Sequence, residues 1–69
     1  MIAIQNFKAA TTIETQGGTF LPVNCTVVGV VRDEDGHYDF VVVCEEDDQR
    51  WVAERDHVTA PDGKSYWPD

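Results

Sequence analysis

The sequence predicts an all-β domain, a small barrel of about five or six short antiparallel strands. Three observations point there. No window of about 11–18 residues repeats apolar side chains at the i, i+3, i+4, i+7 spacing of an amphipathic helix. β-Branched residues crowd the middle of the chain, as TVVGVVR over 26–32 and FVVVC over 40–44, and they favour extended backbone. Turn-forming clusters, QGGT, DEDG, EEDDQ and PDG, divide the chain at short intervals. With 69 residues there is room for one domain, which buries only about 60% of the surface its unfolded chain exposes. The division expected is N-terminal strand or strands over 2–15, a barrel core over about 19–60 and a tail over 61–69.

Taken in order, Ile2, Ile4 and Ile13 give the N-terminal segment its apolar weight. Gln16-Gly17-Gly18-Thr19 is a turn, and Thr19-Phe20-Leu21 a short strand that Pro22 stops. Residues 26–32 form a strand with Val28 and Val30 on one face and Val27, Gly29 and Val31 on the other. A glycine at its centre signals a bend, a bulge or a close backbone approach. Asp33-Glu34-Asp35-Gly36 is a tight connection whose glycine supplies a positive φ. Residues 38–45 put Tyr38, Phe40, Val42 and Cys44 on one face and Asp39, Val41 and Val43 on the other, so this strand is buried on both sides at its centre. Glu45 to Gln49 then turn into a strand over 50–54, on which Trp51 and Ala53 share a face. A single 3₁₀ turn is expected at 55–57, delivering Val58 into a last short strand that ends at Pro61-Asp62-Gly63.

From Phe20 to Ala60 this order of parts resembles the SH3-like small barrels: FLPVNCTVVGVV entering the sheet, DEDG as a tight tip, HYDFVVVCEED as central strand, and QRWVAERDHVTA as strand, turn and final strand. The resemblance is one of pattern and implies a fold. It implies no activity, because the aromatic-acidic ALYDY-type segment of peptide-binding SH3 domains is absent, as is the Val-Gln-Ile-Tyr motif of the SH3-like dihydrofolate reductases. Bacteria and phages encode many short SH3-like proteins without enzymatic chemistry, and this sequence looks like one of them.

Charge is the strongest functional signal. The net charge is −8, and every acid except Glu14 lies beyond residue 31. Such a field repels nucleic-acid phosphates and attracts basic surfaces. The expected function is therefore a non-enzymatic interaction module for a basic protein partner, without direct nucleic-acid or membrane binding. Asp33, Glu34 and Asp35 at one tip and Glu45, Glu46, Asp47 and Asp48 at the other are the candidate contacts, with Tyr66 and Trp67 supplying apolar area. Two alternatives are carried. Carboxylates about 3.3 Å apart along a strand match the phosphate spacing of DNA, which suits a phage-type inhibitor that mimics nucleic acid to block a host nuclease. The tail aromatics would equally suit a structural homo-oligomer.

Other chemistries fit poorly. Aligning Gly36 with the glycine of a calcium loop puts Val31 and Val42 at ligand positions, so no EF-hand is present. Cys25, His37, Cys44 and His57 match no zinc-site spacing, and neither a metal nor a cofactor is expected. His57 beside Asp56 is sequence adjacency only, which fixes no shared geometry with a thiol or hydroxyl, so no enzyme is expected. The longest apolar run, Phe40 to Cys44, is far short of the roughly 20 residues of a membrane span. The chain starts at Met1 and is expected to be a complete small frame or one isolated module. MIAIQNFKAATT lacks the basic and apolar regions of a signal peptide, and the cysteines are too few for a disulfide framework, which together imply a cytoplasmic protein with reduced thiols.

Overall fold

The computed structural model describes residues 1–68; Asp69, the end of the tail, lies outside them. Six strands follow one another: β1 (Ile2–Glu14), β2 (Phe20–Arg32), β3 (Tyr38–Glu46), β4 (Gln49–Arg55), β5 (Val58–Thr59) and β6 (Ser65–Tyr66). They form one antiparallel sheet in the order β4-β3-β2-β1-β5-β6. A flat sheet would be only a few ångströms thick along its backbone. The narrowest extent here is 23 Å, so the sheet curls strongly around its apolar face.

The curl has two local causes. Between Ala3↔Gly29 and Phe7↔Val27, the β1 residues Ile4, Gln5 and Asn6 oppose Val28 alone. On its other side Val28 is again the extra residue, because the β2–β3 register slips between Val27 and Gly29. Such irregularities bend a strand and raise its twist. They also correct the expected alternation along β2. Val27 and Val30 share the core face, with Val28 outside that set, because one inserted residue exchanges the faces of everything beyond it. Gly29 is the close approach expected of it: a Cβ there would lie 2.9 Å from the Ile2 carbonyl oxygen and 2.7 Å from the Met1 sulfur.

The core is a single cluster of Ala9, Val23, Cys25, Val27, Val30, Phe40, Val42, Cys44 and Val58, with Phe7, Tyr38, Trp51 and Ala53 packed around it. Val27, Val42, Val58 and Cys44 are fully buried, worth about 1.5–3 kcal/mol for each valine taken out of water. The expected inward face of β3 and the shared face of Trp51 and Ala53 are both found. Val41, on the opposite face of β3, is also buried.

Three expectations are corrected. The sheet does not close: β4 and β6 stand at its two ends, and two-residue strands such as β5 and β6 are too short to complete a wall. Nor is there a 3₁₀ turn at 55–57 among the described residues. Arg55 stays in β4 through its pairing with Phe40, Asp56 makes a bend, and its carboxylate meets His57 Nδ1 at 2.7 Å. Finally, Pro22 does not stop a strand. It lies within β2, opposite Thr12 of β1, in a stretch that precedes the first β3 pairing at Cys25. One side of β2 is open there, so a residue lacking N–H is tolerated.

Candidate interaction surface

Each acidic tip is built by its turn. At the β2–β3 tip, Asp33 Oδ1 accepts the backbone N–H of Asp35 at 3.0 Å and of His37 at 2.8 Å. Its N–H in turn donates to the His37 carbonyl at 2.8 Å. The Asp33 carboxylate is thus largely used in shaping the loop, as aspartate does in Asx turns. Gly36 takes φ +84°. The Arg32 guanidinium lies against it and over the Tyr38 ring, 5.8 Å from the centroid. Glu34 and Asp35 are therefore the outward acids of a tip that also presents Arg32 and His37.

The β3–β4 tip differs. The expected longer loop is a two-residue turn of Asp47 and Asp48, at φ 49° and 67°, closed by Glu46 opposite Gln49. Successive positive φ values are those of a type I′ hairpin, whose twist matches that of the strands. The result gathers Glu45, Glu46, Asp47, Asp48, Gln49 and Arg50 around one shallow concavity of about 390 Å³. Arg50 Nη2 donates to Glu45 Oε1 at 2.7 Å. Arg50 and Gln49 were not among the expected site residues. A basic residue five positions after Glu45, across a two-residue turn, falls directly opposite it in register, which is the sequence signal that would have found Arg50.

The structure does not merge the candidate residues into one patch. The two tips sit at opposite ends of β3, roughly 25 Å apart at about 3.3 Å per residue. Tyr66 belongs to β6, the far end of the sheet order from β4. Its ring meets Phe7 edge-on at 6.2 Å, and Trp67 stacks on His57 at 5.7 Å and 24°. Their aromatic partners are thus Phe7 and His57, and 58% of Trp67 stays exposed.

Cys25 and Cys44 are directly opposite each other across β2 and β3. Both are buried and free. Burial pushes the Cys25 thiol up to about 11, with the neighbouring Cys44 adding and Arg55 opposing. The Cys44 thiol is also raised by burial, again against Arg55. Among the described residues no group of three or more His, Cys, Asp or Glu side chains is placed to hold a metal ion. Among the same residues no helix is long and apolar enough to cross a membrane. Comparisons with protein-family models, curated proteins and solved structures gave no match.

Proposed function

We propose that the protein is a non-enzymatic, acidic interaction module that docks a basic surface of a protein partner at its β3–β4 tip. The observation that carries this is the lining of one concavity by Glu45, Glu46, Asp47 and Asp48 at the end of a tight two-residue hairpin, in a chain of net charge −8. Preorganised carboxylates lose little entropy on meeting guanidinium or ammonium groups, and the field of the whole chain speeds the encounter. The β2–β3 tip adds to that field at a distance. An SH3-like arrangement goes with the bent β1 and β2 and the curled sheet, and a cytoplasmic setting goes with two free thiols placed side by side. Mimicry of nucleic acid is less well supported, because the acids form two separated tips, each interrupted by arginine, where a duplex presents a continuous line of charge.

The test is binding of a fluorescent arginine-rich peptide, followed by anisotropy at about 0.15 M salt, where the Debye length is about 8 Å. Each exposed ion pair contributes roughly 0.2–1 kcal/mol. Converting Glu45, Glu46, Asp47 and Asp48 together to Gln or Asn should weaken binding roughly 10- to 100-fold. The same change at Asp33, Glu34 and Asp35 should cost much less. Equal losses at both tips, or none at the first, would reject the β3–β4 tip as the docking site.

A further inference from the structure

We infer that β4 is a homodimerisation edge: it pairs antiparallel with β4 of a second copy of this chain, with Val52 on the two-fold axis. This edge shares Arg50 with the basic-partner site, where Arg50 also meets Glu45 at 2.7 Å, but the inference does not rest on that reading.

β4 ends the sheet order and pairs only with β3. In the β3–β4 hairpin, Glu46 and Gln49 close a two-residue turn, so they form a hydrogen-bonded pair, and such pairs then alternate along the ladder. Gln49, Trp51, Ala53 and Arg55 consequently bond to β3. The N–H and C=O groups of Arg50, Val52 and Glu54 point out from the sheet edge. The Glu54 carbonyl takes a bond from its neighbour Arg55 Nη1 at 2.8 Å. Natural edges are blunted by proline, lysine, bulges or shortness. The opposite edge, β6, has two residues, whereas β4 has seven and contains no proline, glycine or lysine.

The side chains then choose the partner. Antiparallel pairing must set outward residues against outward residues, so the allowed registers are few. Centring on Val52 is the one that uses all three, setting Arg50 opposite Glu54 of the second copy, Val52 opposite Val52, and Glu54 opposite Arg50. All three side chains are exposed on one face. The register thus forms two cross-strand ion pairs flanking an apolar contact. Glu54 has no ion-pair partner within its own chain among the described residues. Val52 is 67% exposed, and Val43 lies directly behind it on β3, so the dimer completes an apolar stripe. On the other face the same register sets Trp51 against Ala53, large against small. A slip by two residues in either direction loses both Arg50–Glu54 pairs and sets Val52 against a charged residue, Arg50 or Glu54. The strand is self-complementary in charge, volume and hydrogen bonding at once, and an isologous two-fold contact requires that.

Sedimentation velocity of the full chain from about 10 μM to about 1 mM, a range suited to a weak dimer, tests this. The wild type should show a concentration-dependent dimer. Arg50→Glu and Glu54→Arg, each alone, oppose like charges twice across the axis and should raise the dissociation constant by about tenfold or more. An equimolar mixture of the two variants should recover dimer, because each then meets its complement, and this recovery also shows that both are folded. Trp67→Ala should leave the dimer unchanged. A wild type monomeric at about 1 mM, single variants that still dimerise, a mixture that does not associate, or a dimer lost with Trp67 would each overturn the inference.

Discussion

Replacing Gly29 with alanine tests the close approach that bends the sheet. The added Cβ would stand 2.7 and 2.8 Å from the Met1 side chain and 2.9 Å from the Ile2 carbonyl oxygen. Met1 is 75% exposed and can swing away at little cost. Ile2 cannot, because it is held by pairing with Val30, and its neighbour Ala3 pairs with Gly29 itself. Opening the contact to ordinary distance moves the start of β1 by several tenths of an ångström, and overpacking of this kind costs about 1–3 kcal/mol. Gly29 is not among the positive-φ residues, so alanine there also restricts the unfolded chain, which returns about 0.4–1 kcal/mol. The net loss expected is about 1–2 kcal/mol, in a domain whose total stability is about 3–10 kcal/mol by its length. In thermal unfolding this lowers Tm by at least about 4–8 °C, and in urea it lowers the midpoint without changing the slope. A variant as stable as the wild type, or more so, would refute the packing of β1 over Gly29.

Other substitutions separate core, edge and turn. Val42→Ala, at a fully buried site, should cost about 2–3 kcal/mol in urea unfolding as lost transfer energy plus a cavity; Val52→Ala, on the same residue type at the exposed edge, should fall within about 0.5 kcal/mol of wild type. Asp47→Asn with Asp48→Gly, suited to the positive φ values of that turn, should raise stability by about 0.5–1 kcal/mol, read as a higher urea midpoint. The thiols give a pH signature. An unfolded Cys25 loses its proton near 9.0 while the folded one holds it to about 11, so its stabilising effect is complete below pH 9 and is lost as pH rises to about 11. That loss amounts to roughly 2–3 kcal/mol. The stability difference between wild type and Cys25→Ala, measured over that range, should shrink accordingly.

Much of the fold was legible because burial imposes strict alternation where nothing interrupts it. Along β3, Phe40, Val42 and Cys44 point inward as their spacing says. Along β2 the same rule misled, because the inserted Val28 moves Val30 to the face of Val27, and alternation carries no mark of where a residue is inserted. Gly29 signalled that something happens there without saying what. The open sheet was not legible either. Whether strands close depends on long-range pairing, and no local pattern tells that Val58–Thr59 and Ser65–Tyr66 make only two-residue strands. At the candidate site, the turn residues were evident from composition, while the distance between the tips followed only from knowing that β3 runs unbroken from one to the other. Arg50 was hidden for a related reason. Its partner Glu45 is five residues away, and the two meet only if the turn has two residues.

The distribution of charge links the two proposals. A chain of net charge −8 should repel its own copies, yet along β4 itself Arg50 and Glu54 balance about Val52, while Glu45, opposite Arg50, adds one acid to that face. From the axis at Val52 to the turn at Asp47 and Asp48 is about 15 Å along the strand, so the two acidic tips of a dimer lie roughly 30 Å apart, at opposite ends of the joined β4 pair. That is several Debye lengths at physiological salt, so they scarcely oppose each other. They would instead act as two docking sites on one rigid bar, and a partner bearing two basic segments at that spacing would gain avidity without any new contact. Glu54→Arg, about 20 Å from the tip, isolates this effect. It should leave affinity for one arginine-rich peptide nearly unchanged and reduce affinity for two such peptides joined by a flexible linker of about 40 residues by at least tenfold. An equal loss for both probes would mean that the tips do not work as a pair.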